Sequence, residues 1–152
     1  MDMKNTGTLA KAIRIAAVVH ENQLDRGGQA YMLHPIRVMM RVEGEDARIA
    51  AVLHDVVEDT SWTLDMLRDE GFSEEVVDAV DALSRRIDEE GKKEKYEAFV
   101  LRACANPIAR KVKEADLLDN MDMTRLPKVG PDELKRLAKY HRALKVVRSF
   151  AS

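Results

Sequence analysis

The residues best suited to chemistry in this chain are histidines and carboxylates that lie inside otherwise apolar stretches. His54 and Asp55 interrupt the run "AAVLHDVVEDT", and Glu58 and Asp59 follow one helical turn later. Asp116 lies within "VKEADLLDN", among valine and leucine residues. A buried carboxylate without a partner is costly, so such a position demands a cation or a hydrogen-bond donor. A divalent metal ion held by imidazoles and carboxylates would meet that demand.

A metal site and an ordinary polar helix face are two open interpretations of these residues. His54 and Glu58 are four residues apart, as are Asp55 and Asp59, so each pair would share one helix face. A carboxylate beside a metal ion can orient a water molecule or accept its proton. Carboxylates at this spacing are also common on solvated helix faces. Because His54 and Asp55 are adjacent, both can reach one ion only where the end of a helix lets their side chains converge.

Two further polar residues extend the candidate site. His34 lies directly before a proline at the predicted start of a helix. Asn120 follows Asp116 by four residues and therefore shares its helix face. If histidines and aspartates hold a metal ion, Asn120 lines the adjoining cavity. The nitrogen and oxygen donors of this set suit manganese, iron or zinc.

The elements that must position these residues are helices. Apolar residues recur at helical spacing through almost the whole chain, and no alternating run of strand length is present. Typical N-cap residues precede several predicted helices, namely Thr8, Thr63 and Ser73. Prolines suited to a first helical turn open others, namely Pro35, Pro107 and Pro131. One continuous helix is predicted over residues 45–59, and the whole pattern predicts an all-α single domain over residues 1–152 with seven or eight helices.

Composition restricts the classes of protein to which the chain can belong. Its 152 residues are 45% hydrophobic and 34% charged, which fits one folded domain with a hydrophobic core. The formal net charge is -2, unlike the basic surface of a nucleic-acid-binding protein. No stretch approaches the ~20 apolar residues of a transmembrane helix, and no signal-peptide layout is present. With Cys104 as the only cysteine, we expect a reducing, cytoplasmic location.

Three motifs resemble those of a known enzyme family. "HENQLDRGGQAYMLHP", "AAVLHDVVEDT" and "VKEADLLDNMD" occur in that order, from about Leu9 to about Tyr140. Together they resemble the HD-domain hydrolases of the RelA/SpoT group, and in particular the small stand-alone alarmone hydrolases of the metazoan SpoT homologue type. A bare "HD" would be unspecific, whereas "HDVVEDT" with the upstream "HP" and the downstream "AD…N" is specific. These enzymes are all-helical and manganese-dependent, and they remove pyrophosphate from the 3′ position of guanosine tetra- or pentaphosphate.

The resemblance implies a role for each candidate residue. It implies a divalent metal ion, manganese, with the ligands His34, His54, Asp55 and Asp116. It implies that a carboxylate pair positions and activates the attacking water, namely Glu58 and Asp59. It implies contacts to the nucleotide from Arg26, Asn120 and Tyr140. Basic residues expected to balance substrate phosphates are Lys11, Arg14, Arg26, Lys111 and Lys113. The expected partner is a small nucleotide rather than nucleic acid or a membrane, and a homo-oligomer is left open.

Two positions depart from the family pattern. Asp25 stands where a basic residue often contacts the nucleotide, and the neighbouring Arg26 preserves one positive charge. Asp119 stands where the family usually has histidine, and we expect it to be peripheral to the site. Three alternatives to an alarmone hydrolase therefore remain open: a phosphohydrolase for another nucleotide, a nucleotide-binding HD module without catalysis, and a plain helical interaction domain. The sequence does not identify the metal, the physiological substrate, the oligomeric state or a regulator.

Overall fold

Helices make up nearly all of the regular structure in the computed structural model, which describes residues 6–150. Within this range the backbone forms nine α-helical segments, one 3₁₀ turn at Met123–Arg125 and no strand. The segments are α1 (Leu9–Val19), α2 (Leu33–Met40), α3 (Glu45–Leu53), α4 (Val56–Asp59), α5 (Leu64–Asp69), α6 (Glu74–Ala82), α7 (Tyr96–Cys104), α8 (Pro107–Asn120) and α9 (Pro131–Ser149). The all-α prediction is confirmed, and α3 and α4 occupy the range predicted as one helix. The single-domain organisation stays a prediction.

The predicted capping residues begin their helices as expected. The Thr8 hydroxyl accepts a hydrogen bond from the backbone N–H of Lys11 at 3.1 Å, and the Ser73 hydroxyl accepts one from Val76 at 3.3 Å. Pro107 occupies the first turn of α8. Each cap satisfies a backbone N–H group that the helix itself leaves without a partner. The helix starts are therefore local properties of the sequence.

The helix predicted over residues 45–59 is interrupted at His54 and Asp55. In a continuous helix the carbonyl of Ala51 would accept from the N–H of residue 55. Here that carbonyl lies 2.5 Å from Nδ1 of the His54 side chain, which competes with the backbone for it. The helix ends at Leu53 and resumes at Val56. This interruption is the helix end at which adjacent His and Asp side chains can converge.

Helix α3 forms the centre of the main hydrophobic core. It packs against α1, α2, α6 and α8, and its last five residues, Ile49 to Leu53, are all buried. A second apolar cluster joins α7, α8 and α9 through side chains that include Val100, Leu117 and Leu144. Helix α8 contributes to both clusters. Residues on α8 are therefore held rigidly between two packed regions.

The longest helix is α9, and it is largely polar. Of its 19 residues only Ala143, Leu144 and Val147 are buried. Among residues 6–150, no helix combines the length and the apolar character needed to cross a bilayer.

Candidate metal centre and substrate cavity

Two imidazoles and one carboxylate converge where α2, α3 and α8 meet. His34 lies in α2, His54 directly follows α3, and Asp116 lies in α8. One potential ligand atom from each residue lies within 4.8 Å of the other two. Nε2 of His34 is 2.9 Å from Oδ1 of Asp116, and Nε2 of His54 is 3.3 Å from the same oxygen. All three side chains are buried, so only a small part of the cluster is exposed to solvent.

The Nε2 atom of His54 shows that this cluster fits a cation. A carbonyl oxygen only accepts hydrogen bonds, so the contact with Ala51 assigns the proton of the neutral ring to Nδ1 and leaves a lone pair on Nε2. Nε2 is buried and has no hydrogen-bond partner. It faces Oδ2 of Asp55 at 3.2 Å and Oδ1 of Asp116 at 3.3 Å. A nitrogen lone pair this close to two carboxylate oxygens is unfavourable unless a positive ion is shared among the three atoms, and nitrogen and oxygen donors suit a divalent metal.

Asp55 joins the cluster from the turn between α3 and α4. The hydroxyl of Tyr31 donates a hydrogen bond to its Oδ2 atom, which orients the carboxylate. Burial, followed by the negative charge of Asp116, raises the pKa of the Asp55 carboxyl well above its usual range. A positive ion would keep such closely spaced carboxylates ionised.

Asp116 is the electrostatic centre of the cluster. Its oxygens accept hydrogen bonds from Lys113 Nζ and Asn120 Nδ2, each at 3.2 Å. Burial opposes ionisation, but the charge of Lys113 and the hydrogen bond with His34 hold the pKa of Asp116 well below its usual range. Burial also opposes a charge on His34, but its hydrogen bonds to Asp116 and Asp119 prevail and raise the pKa of His34 to about 9. A metal ion would replace the proton between His34 and Asp116.

Asp119 is fully buried beside His34, so the prediction that it is peripheral is wrong. Its Oδ2 atom lies 2.6 Å from Nδ1 of His34, and its Oδ1 atom accepts a hydrogen bond from Nε of Arg37 at 2.8 Å. The signal that could have found it is its spacing of three residues from Asp116, which places both carboxylates on one face of α8.

A cavity of about 510 Å³ opens beside the cluster. This volume lies in the range of small-molecule sites. Four basic residues on the side formed by α8, α9 and the segment after α6 are called the cationic wall: Arg85, Lys113, Arg136 and Lys139. Tyr96 and Tyr140 add aromatic surface. The cavity therefore combines a candidate metal cluster with a positively charged, partly aromatic lining.

Within the cationic wall, the surroundings of Lys139 disfavour its positive charge. Burial, followed by the charges of Arg85 and Lys113, lowers the pKa of Lys139. The ammonium of Lys139 lies 4.3 Å from the ring centroid of Tyr96. The Tyr96 hydroxyl is buried and has no hydrogen-bond partner. A ligand with negatively charged oxygens would relieve the repulsion and could satisfy this hydroxyl.

The profile of the HD domain family matches residues 8–121. The chain belongs to the HD-domain family. A guanosine-3′,5′-bis(diphosphate) 3′-pyrophosphohydrolase of Haemophilus influenzae is 32% identical over 135 residues, which are 82% of this chain and 20% of that protein. A probable GTP pyrophosphokinase of Mycobacterium leprae is 33% identical over 143 residues, which are 89% of this chain and 18% of that protein. The HD-domain chain thus spans about a fifth of the length of these relatives.

A solved structure has the same fold. It is described as a metazoan ortholog of SpoT that hydrolyzes ppGpp and plays a role in starvation responses. The TM-score is 0.74 at 20% sequence identity, and the match covers 91% of this chain and 84% of the other. This likeness confirms the predicted helical fold of the HD domain.

The residues expected to contact the nucleotide all line the cavity of the HD domain, namely Arg26, Asn120 and Tyr140. Of the carboxylate pair expected to handle water, Glu58 lines the cavity, and its Oε2 atom accepts a hydrogen bond from the backbone N–H of Arg85 at 3.2 Å. Asp59 is exposed and is not among the lining residues. Of the two carboxylates, only Glu58 therefore lies at the cavity.

Of the basic residues expected to balance phosphates, some line the cavity and others lie outside it. Lys113 lines the cavity, whereas Lys11 donates a hydrogen bond to the backbone carbonyl of Glu70 at 2.8 Å. Arg14 and Lys111 are exposed outside this cavity. The residues that sequence reasoning missed are Arg85, Tyr96, Arg136 and Lys139. The spacing of three and four residues among Arg136, Lys139 and Tyr140 on α9 is the signal that could have found part of this wall.

Proposed function

We propose that this HD-domain chain is a metal-dependent phosphohydrolase that removes the 3′-pyrophosphate of guanosine tetra- or pentaphosphate. The observation that carries the proposal is the Nε2 lone pair of His54, which faces two carboxylate oxygens beside a cavity with a cationic wall. The relatives named as guanosine-3′,5′-bis(diphosphate) 3′-pyrophosphohydrolases support the choice of substrate.

The proposed ligands of the ion are His34, His54, Asp55 and Asp116, and the proposed ion is manganese. Three of the four offer atoms within 4.8 Å of one another, and Asp55 lies 3.2 Å from His54. When bound, the ion would polarise a phosphoryl oxygen and lower the pKa of water. Lys113 holds Asp116 ionised, which keeps that carboxylate available as a ligand.

Glu58 is proposed to orient the attacking water and accept its proton, because its carboxylate lines the cavity. The water oxygen forms a bond to the phosphorus attached to the ribose 3′-oxygen, and the bond between that phosphorus and the 3′-oxygen breaks. The 3′-oxygen takes up a proton, and pyrophosphate leaves. Asp59, the second carboxylate of the expected pair, is proposed to assist Glu58 in positioning and activating the water.

The cationic wall is proposed to bind the phosphates of the substrate. Phosphoryl transfer depends largely on electrostatic stabilisation of the transferring group and its oxygens. Arg26, Asn120 and Tyr140 are proposed to contact the nucleoside, since all three line the same cavity. The proposal places the reaction in the cytoplasm, where the buried free thiol of Cys104 remains reduced.

A phosphohydrolase for a different nucleotide is the second candidate, and Asp25 favours it. Asp25 lines the cavity, and its Oδ1 atom accepts hydrogen bonds from the backbone N–H groups of Gly27 and Gln29, each at 2.9 Å. These contacts fix a negative charge in the loop. A substrate with fewer negative charges near this loop would suit that carboxylate better.

A nucleotide panel tests the proposal. The purified chain is incubated with Mn²⁺ and either guanosine tetraphosphate, guanosine pentaphosphate, GTP or a nucleoside monophosphate, and the products are separated by ion-exchange chromatography. We expect pyrophosphate release from the two alarmones, and none from His54→Ala. Cleavage of a simple nucleotide without cleavage of either alarmone would support the second candidate, and binding without cleavage across Mn²⁺, Zn²⁺ and Fe²⁺ would support a non-catalytic module.

A further inference from the structure

The ring of His34 is held on both of its nitrogens by carboxylates of α8. Nε2 lies 2.9 Å from Asp116, and Nδ1 lies 2.6 Å from Oδ2 of Asp119. The Asp119 side chain is 0% exposed, so its carboxylate acts entirely within the protein. We propose that Asp119 is a positioning residue that fixes His34 with Nε2 directed to the metal ion. This inference rests on the metal site of the proposed function.

The chemistry of the contact assigns the direction of the hydrogen bond. An ionised carboxylate only accepts, so Nδ1 of His34 must carry a proton and donate it to Asp119. Nε2 lies 2.9 Å from Oδ1 of Asp116 and is the nitrogen left for an ion, which would displace its proton and leave a neutral ring with the lone pair on Nε2. Carboxylates that accept from the second nitrogen of a ligating histidine fix both its tautomer and its orientation. Asp119 would therefore determine which nitrogen of His34 binds the ion.

Two guanidinium groups hold Asp119 in this position. Arg37 on α2 donates from Nε to Oδ1 at 2.8 Å and from Nη2 to Oδ2 at 3.2 Å. Arg125, in the 3₁₀ turn after α8, donates from Nη2 to the backbone carbonyl of Asp119 at 3.1 Å. The same Nη2 lies 3.5 Å from Oδ2. The carboxylate is thus oriented before any ion binds, which lowers the cost of ordering the ligand.

The substitution Asp119→Asn separates positioning from simple packing. Asparagine preserves the shape of the side chain. Because guanidinium groups only donate, the amide oxygen would stay on the side that accepts from Arg37. The amide NH₂ would then face Nδ1 of His34, which would have to accept. The ring proton would move to Nε2, where it blocks the ligand lone pair.

Mn²⁺ affinity, measured by calorimetry and by electron paramagnetic resonance, provides the first test. We expect Asp119→Asn to weaken binding by roughly 10- to 100-fold, the usual effect of removing such a partner. The matched control is Glu114→Gln on the same helix, whose carboxylate bonds Arg148 on the surface. This control should bind Mn²⁺ as the unchanged chain does. Equal affinity in Asp119→Asn, with helical circular dichroism retained, would overturn the inference.

Nitrogen NMR of the zinc-loaded protein provides a readout that a purely structural role would not move. In the unchanged chain we expect the His34 ring to show a protonated Nδ1 and a metal-bound Nε2, and in Asp119→Asn this signature should be lost. If Asp119→Asn does not fold, Arg37→Gln is used, and it should weaken Mn²⁺ binding several-fold because Asp119 loses its main donor. Unaltered affinity in Arg37→Gln would then overturn the inference. An unchanged chain that binds neither Mn²⁺ nor Zn²⁺ would refute the metal site itself and the inference with it.

Discussion

The Nε2 atom of His34 lies 2.9 Å from Oδ1 of Asp116, although 82 residues separate the two along the chain. Mutual packing of α2, α3 and α8 brings them together. His54 completes the cluster from the end of α3. The candidate metal centre is therefore a product of the hydrophobic core, and its geometry depends on how these three helices pack.

His54→Ala should abolish both stoichiometric metal binding and phosphohydrolase activity. The substitution removes the one imidazole nitrogen in the cluster that is buried without a hydrogen-bond partner. Metal content after dialysis, measured by plasma mass spectrometry, checks the first effect, and phosphate release checks the second. His141→Ala is the matched control, since His141 is exposed on α9. Full activity or a retained ion in His54→Ala would refute the proposed ligand set.

Glu58→Gln should retain the metal ion and lower turnover by roughly 10²- to 10⁴-fold, the usual contribution of a positioned acid or base. Asp59→Asn should have a smaller effect, because Asp59 lies outside the cavity lining and Glu58 lies within it. Steady-state kinetics with parallel metal analysis distinguishes the two variants. Loss of the ion in Glu58→Gln would instead make Glu58 a ligand, and equal losses of turnover would assign both carboxylates the same role.

Lys139→Gln should raise KM for a polyphosphorylated nucleotide more than it lowers kcat. Burial and the neighbouring charges of Arg85 and Lys113 lower the pKa of Lys139, so an anionic substrate relieves repulsion that the free protein retains. Kinetics at several salt concentrations measures the effect, and the salt dependence of KM should decrease in the variant. Lys145→Gln, an exposed position on the same helix, is the control. Equal KM values in the two variants would exclude Lys139 from substrate binding.

Glu94→Gln should destabilise the fold near neutral pH and have less effect in acid. Arg102 donates to both carboxylate oxygens of Glu94, at 2.8 and 3.0 Å, and this hydrogen bonding lowers the pKa of Glu94 although burial opposes it. When the pKa of a carboxyl is lower in the folded protein, the group stabilises the fold at pH values above its unfolded pKa of about 4.3. This stabilisation is lost as the pH falls through the pKa of the folded state. The expected loss is about 1 kcal/mol in the free energy of unfolding at pH 7.

Urea unfolding across the acid range checks this prediction. The difference between Glu94→Gln and the unchanged chain should shrink as the pH falls below about 4, where the unfolded carboxyl is protonated. Glu89→Gln, an exposed position in the same segment between α6 and α7, should show no such difference. A difference that stays constant with pH would mean that the Glu94 charge does not contribute.

The sequence by itself determined the helical class, most helix starts and the HD family motifs. These properties are local: Thr8 and Ser73 cap the helices that directly follow them, and apolar periodicity marks the buried faces. The residues of the proposed metal site could be named because "HP", "HDVVEDT" and "AD…N" can be recognised as motifs without knowing how they meet.

Only the tertiary structure decided which side chains meet and what each one contacts. The interruption at His54 arises because its ring competes for a backbone carbonyl, which apolar periodicity does not register. Asp119 became a partner of His34 because α2 packs on α8 and buries both residues. The cationic wall unites Arg85 with Lys139, which lie 54 positions apart in the sequence. Charge, burial and hydrogen bonding between distant segments depend on distances in space, and those are set by the packing of the core.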